Sequence, residues 1–386
     1  MDDPPLILSV IIPARNEEDC VRECLRSLVA QEEDGWKLSP QRTSSPGTPG
    51  LGGEWEIIVV NDGSTDRTRE IAEGFAGITV VDAPKLEKGW TGKANACWAG
   101  SQNARGKWLL FTDADTIHGS ADPTPGLTAD IMGTPNSLRL AMIEAERHGA
   151  GMLSYSPRQI VRGLAQRALM PLVFSDLAVT YSPAKVNDPA RLVAAANGQF
   201  LLVRRGVYDR IGGHAAVKGS ILEDVELASL VKRRKLGLRF RYAPEAVAAR
   251  MYRSFGTMVG GWTKNLALLF GNAPMLAGMR LLELAVLVGV PALAWFLWWL
   301  RGPGHGFGPG VLGTPMATAA LVVVWLRALW GLYGRVSKSG FPFRDVVLAP
   351  LGIPLYAALL WRSWFRVTVL KRVVWKGREL PVARGR

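Results

Sequence analysis

Two aspartates, Asp113 and Asp115, stand one residue apart, directly after the apolar run Trp108-Leu109-Leu110-Phe111. A short buried strand that ends in two carboxylates can hold a hard divalent cation, because oxygen ligands suit Mg²⁺ and Mn²⁺, and Mg²⁺ is usually held by one or two carboxylates together with substrate phosphates. Open α/β sheets also bind their ligands at the carboxyl ends of strands. The alternative is a solvated turn, and the tripeptide alone favours neither interpretation.

A second polar segment, Pro13-Ala14-Arg15-Asn16-Glu17-Glu18, opens the first helical pattern of the chain. Backbone N–H groups at a helix N-terminus, together with Arg15, suit the base or the phosphates of a nucleotide. The alternative is an ordinary helix start in which the acidic residues complement the helix dipole. By itself the segment favours that alternative.

A third segment, Val60-Asn61-Asp62-Gly63-Ser64-Thr65-Asp66, follows another apolar run. A carboxylate just past a strand can accept a hydrogen bond from a base or a ribose. A capped turn explains the glycine, the serine and the final aspartate equally well. It leaves Asp62 unexplained, so Asp62 is the candidate binding residue here.

A pair of acids, Glu223 and Asp224, begins a helical stretch that becomes basic further on. Paired carboxylates suggest a general base, because a neighbouring negative charge raises one pKa toward the working range. Acidic residues at the start of a helix are the alternative, and for this pair alone they are favoured.

Lys93 lies in the glycine-containing segment Gly89-Trp90-Thr91-Gly92-Lys93-Ala94-Asn95. The glycines permit close approach of the backbone, and the lysine can meet a phosphate. The segment lacks the full Walker A spacing, so it does not indicate a P-loop.

The elements that must position these residues alternate between strands and helices. Apolar runs rich in β-branched residues predict buried strands, as in a parallel sheet, at 6–12, 56–60, 78–81 and 108–112. A helical pattern runs to about Gln31, and residues 32–54, rich in Gly, Pro and Ser, predict a long flexible surface insertion. This alternation indicates an α/β fold with a mostly parallel sheet.

Length, charge and cysteine content narrow the class of protein. The chain has 386 residues, more than one compact core usually fills, and a net charge of +13. Eight Lys/Arg and one acidic residue lie in 362–386, a basic tail after apolar segments. Such a tail indicates an anionic membrane surface, and no nucleic-acid-binding motif is apparent. The three cysteines, Cys20, Cys24 and Cys97, form neither a disulfide framework nor a metal-ligand spacing.

The last third of the chain predicts membrane segments. Residues 281–300 and 315–333 are apolar and long enough to span a bilayer, while 346–361 is shorter and contains two prolines. This third segment can span with a kink, re-enter, or lie at the interface. Basic residues on both of its flanks place both flanks on the cytoplasmic side, which favours an even number of crossings. The N-terminus lacks the features of a signal peptide, so we expect the preceding domain to stay in the cytoplasm.

Taken in order, the motifs resemble those of family 2 glycosyltransferases with the GT-A fold. They are IIPARNE, VVNDGSTD, GWTGKANA, FTDADT and ILEDVELA, within residues 6–270. VNDP at 186–189, VRRGVYDRIGG at 203–213 and Trp-x-Lys-Asn at 262–265 are most similar to a membrane-anchored branch with hopanoid-associated and carotenoid (diaponeurosporenoate-type) glycosyltransferases. Each motif is weak alone, and the combination is specific.

The resemblance implies a role for each matching residue. Asp113, Ala114 and Asp115 match the motif that binds Mg²⁺ or Mn²⁺ and the donor diphosphate, and Asp224, beside Glu223, matches the catalytic base of an inverting transfer. The nucleotide-sugar pocket is implied to include Pro13, Ala14, Arg15, Glu17, Asn61, Asp62 and Lys93.

The chain departs from the family at one motif. Processive and sphingolipid members carry Gln/Arg-x-x-Arg-Trp near the membrane, whereas this chain has Met258-Val259-Gly260-Gly261-Trp262. Only Trp262 is kept, as a donor-site residue or as an interfacial anchor. The loss favours a single transfer over polymer synthesis.

We therefore expect a glycosyltransferase that moves a sugar from a nucleotide-sugar, with a UDP-sugar the expected donor, to a lipid acceptor in the bilayer. The expected organisation is a cytoplasmic GT-A domain at 1–272, a membrane region at 273–361 and a basic interfacial tail at 362–386 in the plasma or inner membrane. A processive polysaccharide synthase and a non-catalytic membrane scaffold are the alternatives. The scaffold predicts loss of at least one of the carboxylates Asp113, Asp115 and Asp224, and all three are present.

Overall fold

The computed structural model describes residues 6–31, 36–38, 53–119, 136–299, 315–375 and 377–381. The described chain forms two compact units. The first contains the described residues up to Ile160 together with Tyr181–Met251, and the second contains Val161–Thr180 and the chain from Tyr252 onward. We expected one continuous domain up to residue 272. In the structure, Val161–Thr180 groups with the later helices instead. That segment is mostly apolar, like the helices it joins, and its three charged residues are Arg162, Arg167 and Asp176.

Strands and helices follow one another along the described chain in a fixed order. The strands are β1 Leu8–Ala14, β2 Trp36–Leu38, β3 Gly53–Asn61, β4 Ile78–Asp82, β5 Trp108–Phe111, β6 Thr116–His118, β7 Met152–Ser156, β8 Arg158–Gln159, β9 Leu201–Arg204, β10 Leu238–Tyr242, β11 Val247–Ala249, β12 Arg372–Trp375 and β13 Arg378–Pro381. The α-helices are α1 Val21–Val29, α2 Thr68–Glu73, α3 Gly92–Asn103, α4 Ser137–Arg147, α5 Gly163–Thr180, α6 Pro183–Val186, α7 Arg205–Ile211, α8 Glu223–Arg233, α9 Phe255–Leu269, α10 Ala273–Trp299, α11 Pro315–Val336, α12 Phe343–Val346 and α13 Ala349–Trp364.

The first unit is built on a mixed sheet with the order β10-β7-β9-β5-β1-β3-β2, and β4 also pairs with β3. All pairs are parallel except those of β9, which runs antiparallel to both β5 and β7. A smaller sheet has the order β6-β11-β8. The predicted α/β fold with a mostly parallel sheet is confirmed, and the four predicted strands are β1, β3, β4 and β5.

Both faces of the central sheet are buried, which explains the uninterrupted apolar runs. Val10 and Ile12 of β1 belong to a core that also contains residues of α1 and α4. Ile11, between them, belongs to a second core with residues of α3, α7 and α8. Successive side chains of a strand point to opposite faces, so a single strand feeds two cores and needs apolar residues at every position.

The expected insertion at 32–54 falls largely outside the described residues. Its described part is not a loop at every position. Trp36–Leu38 forms β2, which pairs in parallel with Gly53–Trp55 at the start of β3. The Gly/Pro-rich segment expected between the two membrane segments, residues 301–314, lies outside the described chain.

The second unit is helical and contains a buried network of charged groups. Arg280 on α10 makes two hydrogen bonds to Asp176 on α5, at 3.0 and 3.2 Å, and a third to Glu283, at 2.8 Å. Arg335 on α11 grips both oxygens of Glu283, at 2.9 and 3.0 Å, and the Tyr356 hydroxyl donates to Asp176 at 3.1 Å. Two arginines and two acids thus balance one another and connect α5, α10, α11 and α13. Such networks fix helix register because a shift that removes one member leaves the charge of its partner buried and uncompensated.

Two helices of this unit are long and apolar enough to cross a membrane. The candidate segments are Ala273–Phe296 and Met316–Ser339, and only 17% and 6% of their most apolar windows are buried within the described chain. They contain most of the predicted segments at 281–300 and 315–333. The third predicted segment corresponds to α13, which is broken by neither of its prolines.

The close approach of α3 to the sheet rests on Gly100. A Cβ at this position would collide with the Ile11 side chain and lie 3.0 Å from Val60 Cγ2. We predict that Gly100→Ala lowers the free energy of unfolding by about 1–3 kcal/mol, the usual cost of overpacking a core. Thermal unfolding of the full chain in detergent measures the effect.

The matched control is Gly206→Ala, also on a helix, where a Cβ would meet no atom within 4 Å. Alanine is the better helix former by about 0.5–1 kcal/mol, so this variant should keep or gain stability. Equal losses in the two variants would contradict the packing role of Gly100.

Candidate active site at the carboxyl ends of the central strands

The polar segments found in the sequence meet at one edge of the central sheet. β1 and β3 are parallel and end in register at Ala14 and Asn61, and β5 runs parallel to β1 on its other side. The residues that follow these three strands therefore share an edge. The amide of Asp62 donates to the Ala14 carbonyl at 2.8 Å, and Arg15 Nη1 donates to the Asp62 carbonyl at 2.7 Å.

The loops after β1 and β3 hold each other through side chains. The backbone N–H groups of Asn16, Glu17 and Glu18 donate to Ser64 Oγ (3.1 Å), Thr68 Oγ1 (2.7 Å) and Asp66 Oδ2 (3.1 Å). Helix α1 begins only at Val21. These three amides are therefore neither the first turn of a helix nor available to a phosphate in this structure, contrary to the helix-terminus interpretation of this segment.

The Asn61 side chain makes its hydrogen bonds within the protein. Its Nδ2 donates to Asp82 Oδ1 at 2.8 Å, and its Oδ1 accepts from the Ser64 amide at 3.0 Å. The Glu17 carboxylate accepts from the Cys20 thiol at 3.2 Å. Pro13 and Ala14 lie within β1, and Ala114 is part of the apolar core. Arg15 and Asp62 lie at the same sheet edge, and their assignment to the nucleotide stays a prediction.

Threonine hydroxyl groups stabilise the turn that carries Asp113 and Asp115. Thr116 Oγ1 donates to the Asp113 carbonyl at 2.7 Å, and Thr112 Oγ1 donates to the Gln199 carbonyl at 2.7 Å. The amide of Arg250 donates to the Asp115 carbonyl at 3.0 Å. Both threonines are buried, while both aspartates are partly exposed. The backbone is fixed, and the Asp113 side chain stays 28% exposed, whereas Oδ1 of Asp115 is buried.

His118 supports this turn as a neutral ring. Burial lowers the pKa of His118 to about 3. Its Nε2 lies 3.1 Å from Thr116 Oγ1 and 3.2 Å from Thr112 Oγ1. Each hydroxyl already gives its proton to a carbonyl, so the ring proton belongs on Nε2 and is donated to the hydroxyls. His118 therefore orders the residues under the aspartate pair.

Lys93 joins the aspartate pair to the acidic pair. Its Nζ lies 2.7 Å from Asp113 Oδ1 and 3.2 Å from Glu223 Oε1. Burial opposes the charged ammonium, but the surrounding carboxylates Asp113, Glu223 and Asp224 outweigh it and raise the pKa of Lys93 well above its usual value. The lysine, in the first turn of α3, thus carries a positive charge between carboxylates from two other elements.

Asp224 has the properties of a base. Removal from water, followed by the adjacent negative charge of Glu223, raises the pKa of Asp224 to about 6, and Lys93 opposes the shift. Its Oδ2 accepts a hydrogen bond of 2.7 Å from the Gly198 amide, and its Oδ1 accepts one of 2.8 Å from the Val225 amide. The carboxylate is therefore held in a fixed orientation and titrates near neutral pH.

Gly198 is a site residue that the sequence did not reveal. Besides donating to Asp224, it leaves the space that Lys93 fills: a Cβ would lie 2.7 Å from Lys93 Nζ and 3.4 Å from Asp224 Oδ2. The segment is anchored nearby, where the Asn197 amide donates to Ser154 Oγ at 2.8 Å. The Asn-Gly dipeptide before β9 is a turn signal, but nothing in the sequence names its partners.

Trp262 lies in the second unit, on α9. Its ring is buried, its Nε1 donates to Met170 Sδ at 3.3 Å, and it packs edge-on against Phe174 and Tyr252. These contacts are typical of a core residue, and its assignment to the donor site stays a prediction. The described structure brings Lys93, Asp113, Glu223 and Asp224 together, with Arg15 and Asp62 at the same sheet edge.

The mixed sheet with carboxylates at its strand ends is the arrangement that the motifs predicted for a glycosyltransferase with the GT-A fold. Residues 9–122 match the model of glycosyl transferase family 2, which confirms the resemblance seen in the motifs. Residues 76–386 match that of glycosyl transferase family 21. Since this second match covers most of the sequence, the chain belongs to glycosyl transferase family 21 and is an enzyme.

The chain is also similar to individual proteins. The chain is 25% identical to a 4,4'-diaponeurosporenoate glycosyltransferase of Staphylococcus aureus, over 98% of this chain and 89% of the relative. Solved structures with 16% identity include S. aureus TarS 1-349 in complex with UDP-GlcNAc (TM-score 0.42, 98% of each chain). They also include mannosyltransferase PcManGT from Pyrobaculum calidifontis in complex with GDP-Man and Mn²⁺ (TM-score 0.43, 93% of this chain and 86% of that one).

We predict that Gly198→Ala lowers turnover about 100-fold, the effect of a misplacement of roughly 1 Å at a reacting group. The new methyl group must displace the Lys93 ammonium from Asp113 and Glu223. Release of nucleoside diphosphate, measured over a panel of nucleotide-sugars, reports the loss. Gly206→Ala, away from the site, should keep full turnover.

Gly198 has no left-handed φ, so the alanine backbone is unstrained and the melting temperature should stay close to that of the original chain. Unchanged turnover in Gly198→Ala would show that the Lys93 ammonium does not need the space beside Gly198.

Proposed function

We propose that this enzyme transfers one sugar from a nucleotide-sugar, with a UDP-sugar the expected donor, to a lipid acceptor at the cytoplasmic face of the plasma or inner membrane. The transfer depends on Mg²⁺ or Mn²⁺ and inverts the anomeric centre. One observation carries the proposal. Lys93 Nζ lies within 3.2 Å of both Asp113 and Glu223. The carboxylate proposed to bind the metal and the acidic pair proposed to supply the base therefore belong to one site.

The carboxylates fit a divalent metal that the donor helps to bind. Asp113 and Asp115 offer only oxygen ligands, which Mg²⁺ and Mn²⁺ prefer. No group of three or more His, Cys, Asp and Glu side chains within the described ranges is arranged to hold a metal alone. A pair completed by diphosphate oxygens agrees with both facts. When bound there, the ion neutralises charge on the leaving diphosphate.

Asp224 acts on the acceptor. It takes the proton of the acceptor hydroxyl as that oxygen bonds to the anomeric carbon and the bond from this carbon to the diphosphate oxygen breaks. Burial and the neighbouring charge of Glu223 raise the pKa of Asp224, so that this carboxylate can accept the proton of the hydroxyl. Lys93 contributes a fixed positive charge beside Asp113, where it can meet the diphosphate. Positioning and charge neutralisation supply most of the rate enhancement.

The acceptor class is inferred from similarity and from the apolar helices. The S. aureus relative is named for its acceptor, 4,4'-diaponeurosporenoate. The two candidate spans support a location of this chain beside lipid. A single transfer is favoured because Met258–Trp262 lacks the arginine of the processive motif.

The proposed topology is a helical hairpin with both ends in the cytoplasm. The ion pair of Arg335, near the end of α11, with Glu283, in the first half of α10, supports it because the end of α11 then returns to the level of the first half of α10. Trp325 Nε1 donates to the Leu287 carbonyl at 3.0 Å, as expected for antiparallel neighbours. Arg335 and Lys338 at this end follow the positive-inside rule.

The metal assignment is tested with Asp113→Asn and Asp115→Asn. Each amide keeps the shape of the side chain and removes a negative oxygen ligand, so we expect metal-dependent binding of UDP to weaken at least tenfold, about 1.4 kcal/mol. Calorimetric titration of UDP with and without Mn²⁺ measures it. UDP affinity that is independent of Mn²⁺ in the original chain would exclude metal-dependent donor binding.

The matched control for these variants is Asp209→Asn on α7. Asp209 is an exposed carboxylate of the same unit. Binding of UDP with Mn²⁺ should be unchanged in it. The same loss in this variant as in Asp113→Asn would point to a general charge effect and away from ligation.

The base assignment predicts an acid limb in the rate. Asp224 works as a base only when ionised, and its pKa is raised to about 6. Turnover should therefore fall roughly tenfold per pH unit below about pH 6. Glu223→Gln removes the neighbouring negative charge, so it should lower the pKa of Asp224 and move this limb to lower pH. A limb unchanged in Glu223→Gln would assign the titration to another group.

A further inference from the structure

An exposed apolar stripe runs along α12, α13 and the π-helical turn Phe365–Val369 that continues α13. Its large members are spaced mostly three or four residues apart, as one helical face requires. They are Phe343, Val347, Leu351, Trp361, Phe365 and Val369, which are 44–80% exposed. Pro354 and Ala358, also exposed, fill the middle of the stripe. A continuous apolar face of this length is unusual on a surface that contacts only water.

The opposite face of α13 is packed against α5. Gly352 is pressed so closely on the Ala168 carbonyl that a Cβ would collide with it. The Tyr356 hydroxyl donates to Asp176, and Arg167 pairs with Asp345 just before α13. Contacts at Arg167, Ala168 and Asp176 extend over more than two turns of α5. The two helices therefore run side by side.

This packing decides whether α13 crosses the bilayer. The 16 residues of α13 and the 5 of the π-helical turn would be about 30 Å long as regular helix, enough to span. However, α5 is preceded by β8 and followed by α6, and both belong to the unit that carries the catalytic carboxylates. A helix whose two ends return to that unit stays on its side of the membrane. Its neighbour α13 stays there as well.

The charges beside the stripe are basic. Arg362, Arg366 and Lys371 lie within or just after its second half, and Arg344 lies at its start. Arg372, which follows, is paired with Glu379 at 3.1 Å. Asp345, the acid beside Arg344, is buried and paired with Arg167. The uncompensated charge around the stripe is thus positive. An apolar face bordered by Lys and Arg suits the boundary between acyl chains and anionic headgroups.

We propose that the face formed by α12, α13 and the π-helical turn lies flat in the cytoplasmic surface of an anionic bilayer. Its apolar stripe enters the headgroup boundary, and its arginines meet the phosphates. This inference rests on the proposed membrane location and deepens it. The third apolar segment is then an interfacial helix, and within the described residues only the hairpin of α10 and α11 crosses the membrane.

Spin labels measure the depth of this face in the full chain. Cys20, Cys24 and Cys97 are buried, so single cysteines introduced at exposed positions are labelled selectively. The stripe variants are Leu351→Cys, Ala358→Cys and Val369→Cys. Val288→Cys, exposed on α10, marks the bilayer interior, and Gln102→Cys, exposed on α3, marks water. The chain is reconstituted in nanodiscs of phosphatidylcholine and phosphatidylglycerol.

We expect the three stripe labels to lie at one shallow depth, with collision rates for oxygen and for a water-soluble nickel complex between those of the two markers. Depths that pass from one surface through the bilayer centre would show a crossing helix and overturn the proposal. Stripe labels with the same access to the water-soluble nickel complex as the label at position 102 would also overturn it. Dipolar broadening with no access for either reagent would indicate that a second copy covers the face instead.

The charge component is tested in the same nanodiscs. Arg362→Gln and Arg366→Gln together should make the label at 369 shallower, as should replacement of phosphatidylglycerol by phosphatidylcholine. No response to either change would remove anionic lipid from the proposal. None of these measurements uses a substrate, so a failed depth pattern with normal turnover rejects this inference alone. A label at 288 in water rejects the membrane location itself.

Discussion

The ammonium of Lys93 between Asp113 and Glu223 is the interaction on which the organisation of the site depends. Without a positive charge there, the carboxylates of Asp113, after β5, and of Glu223, at the start of α8, would repel one another. Several features secure it. Thr91 caps α3, Gly198 leaves room for the ammonium, and the threonines beneath Asp113 fix the backbone that carries the carboxylate.

Much of this arrangement could be predicted from the sequence because it follows from local pattern. The apolar runs before Arg15, Asp62 and Asp113 are strands buried on both faces, and parallel strands carry their following residues to one edge. Other features depend on contacts between distant residues. The amides after β1 bind side chains 48 to 51 residues away, which no local pattern encodes. The role of Gly198 appears only when α3 and α8 are packed around it.

The helical unit was harder to delimit for a similar reason. Helix α5 has a low charge content, but it lies in the sequence between strands of the first unit, so continuity alone assigned it there. Its partners, α13 and the arginines of α10 and α11, come about 100 to 180 residues later. The apolar content of α13 likewise suggested a possible span, and only its packing on α5 separates an interfacial helix from a crossing one.

The insertion of α5 into the catalytic sequence has a practical consequence for producing this enzyme. A fragment ending at Met251 would keep α5 but lose α9 and α13, which cover it. Asp176 would then be left without Arg280 and Tyr356, and the buried apolar residues of α5 would face water. The first unit is therefore not separable by a truncation at Met251, and the chain with both units is the form suited to study.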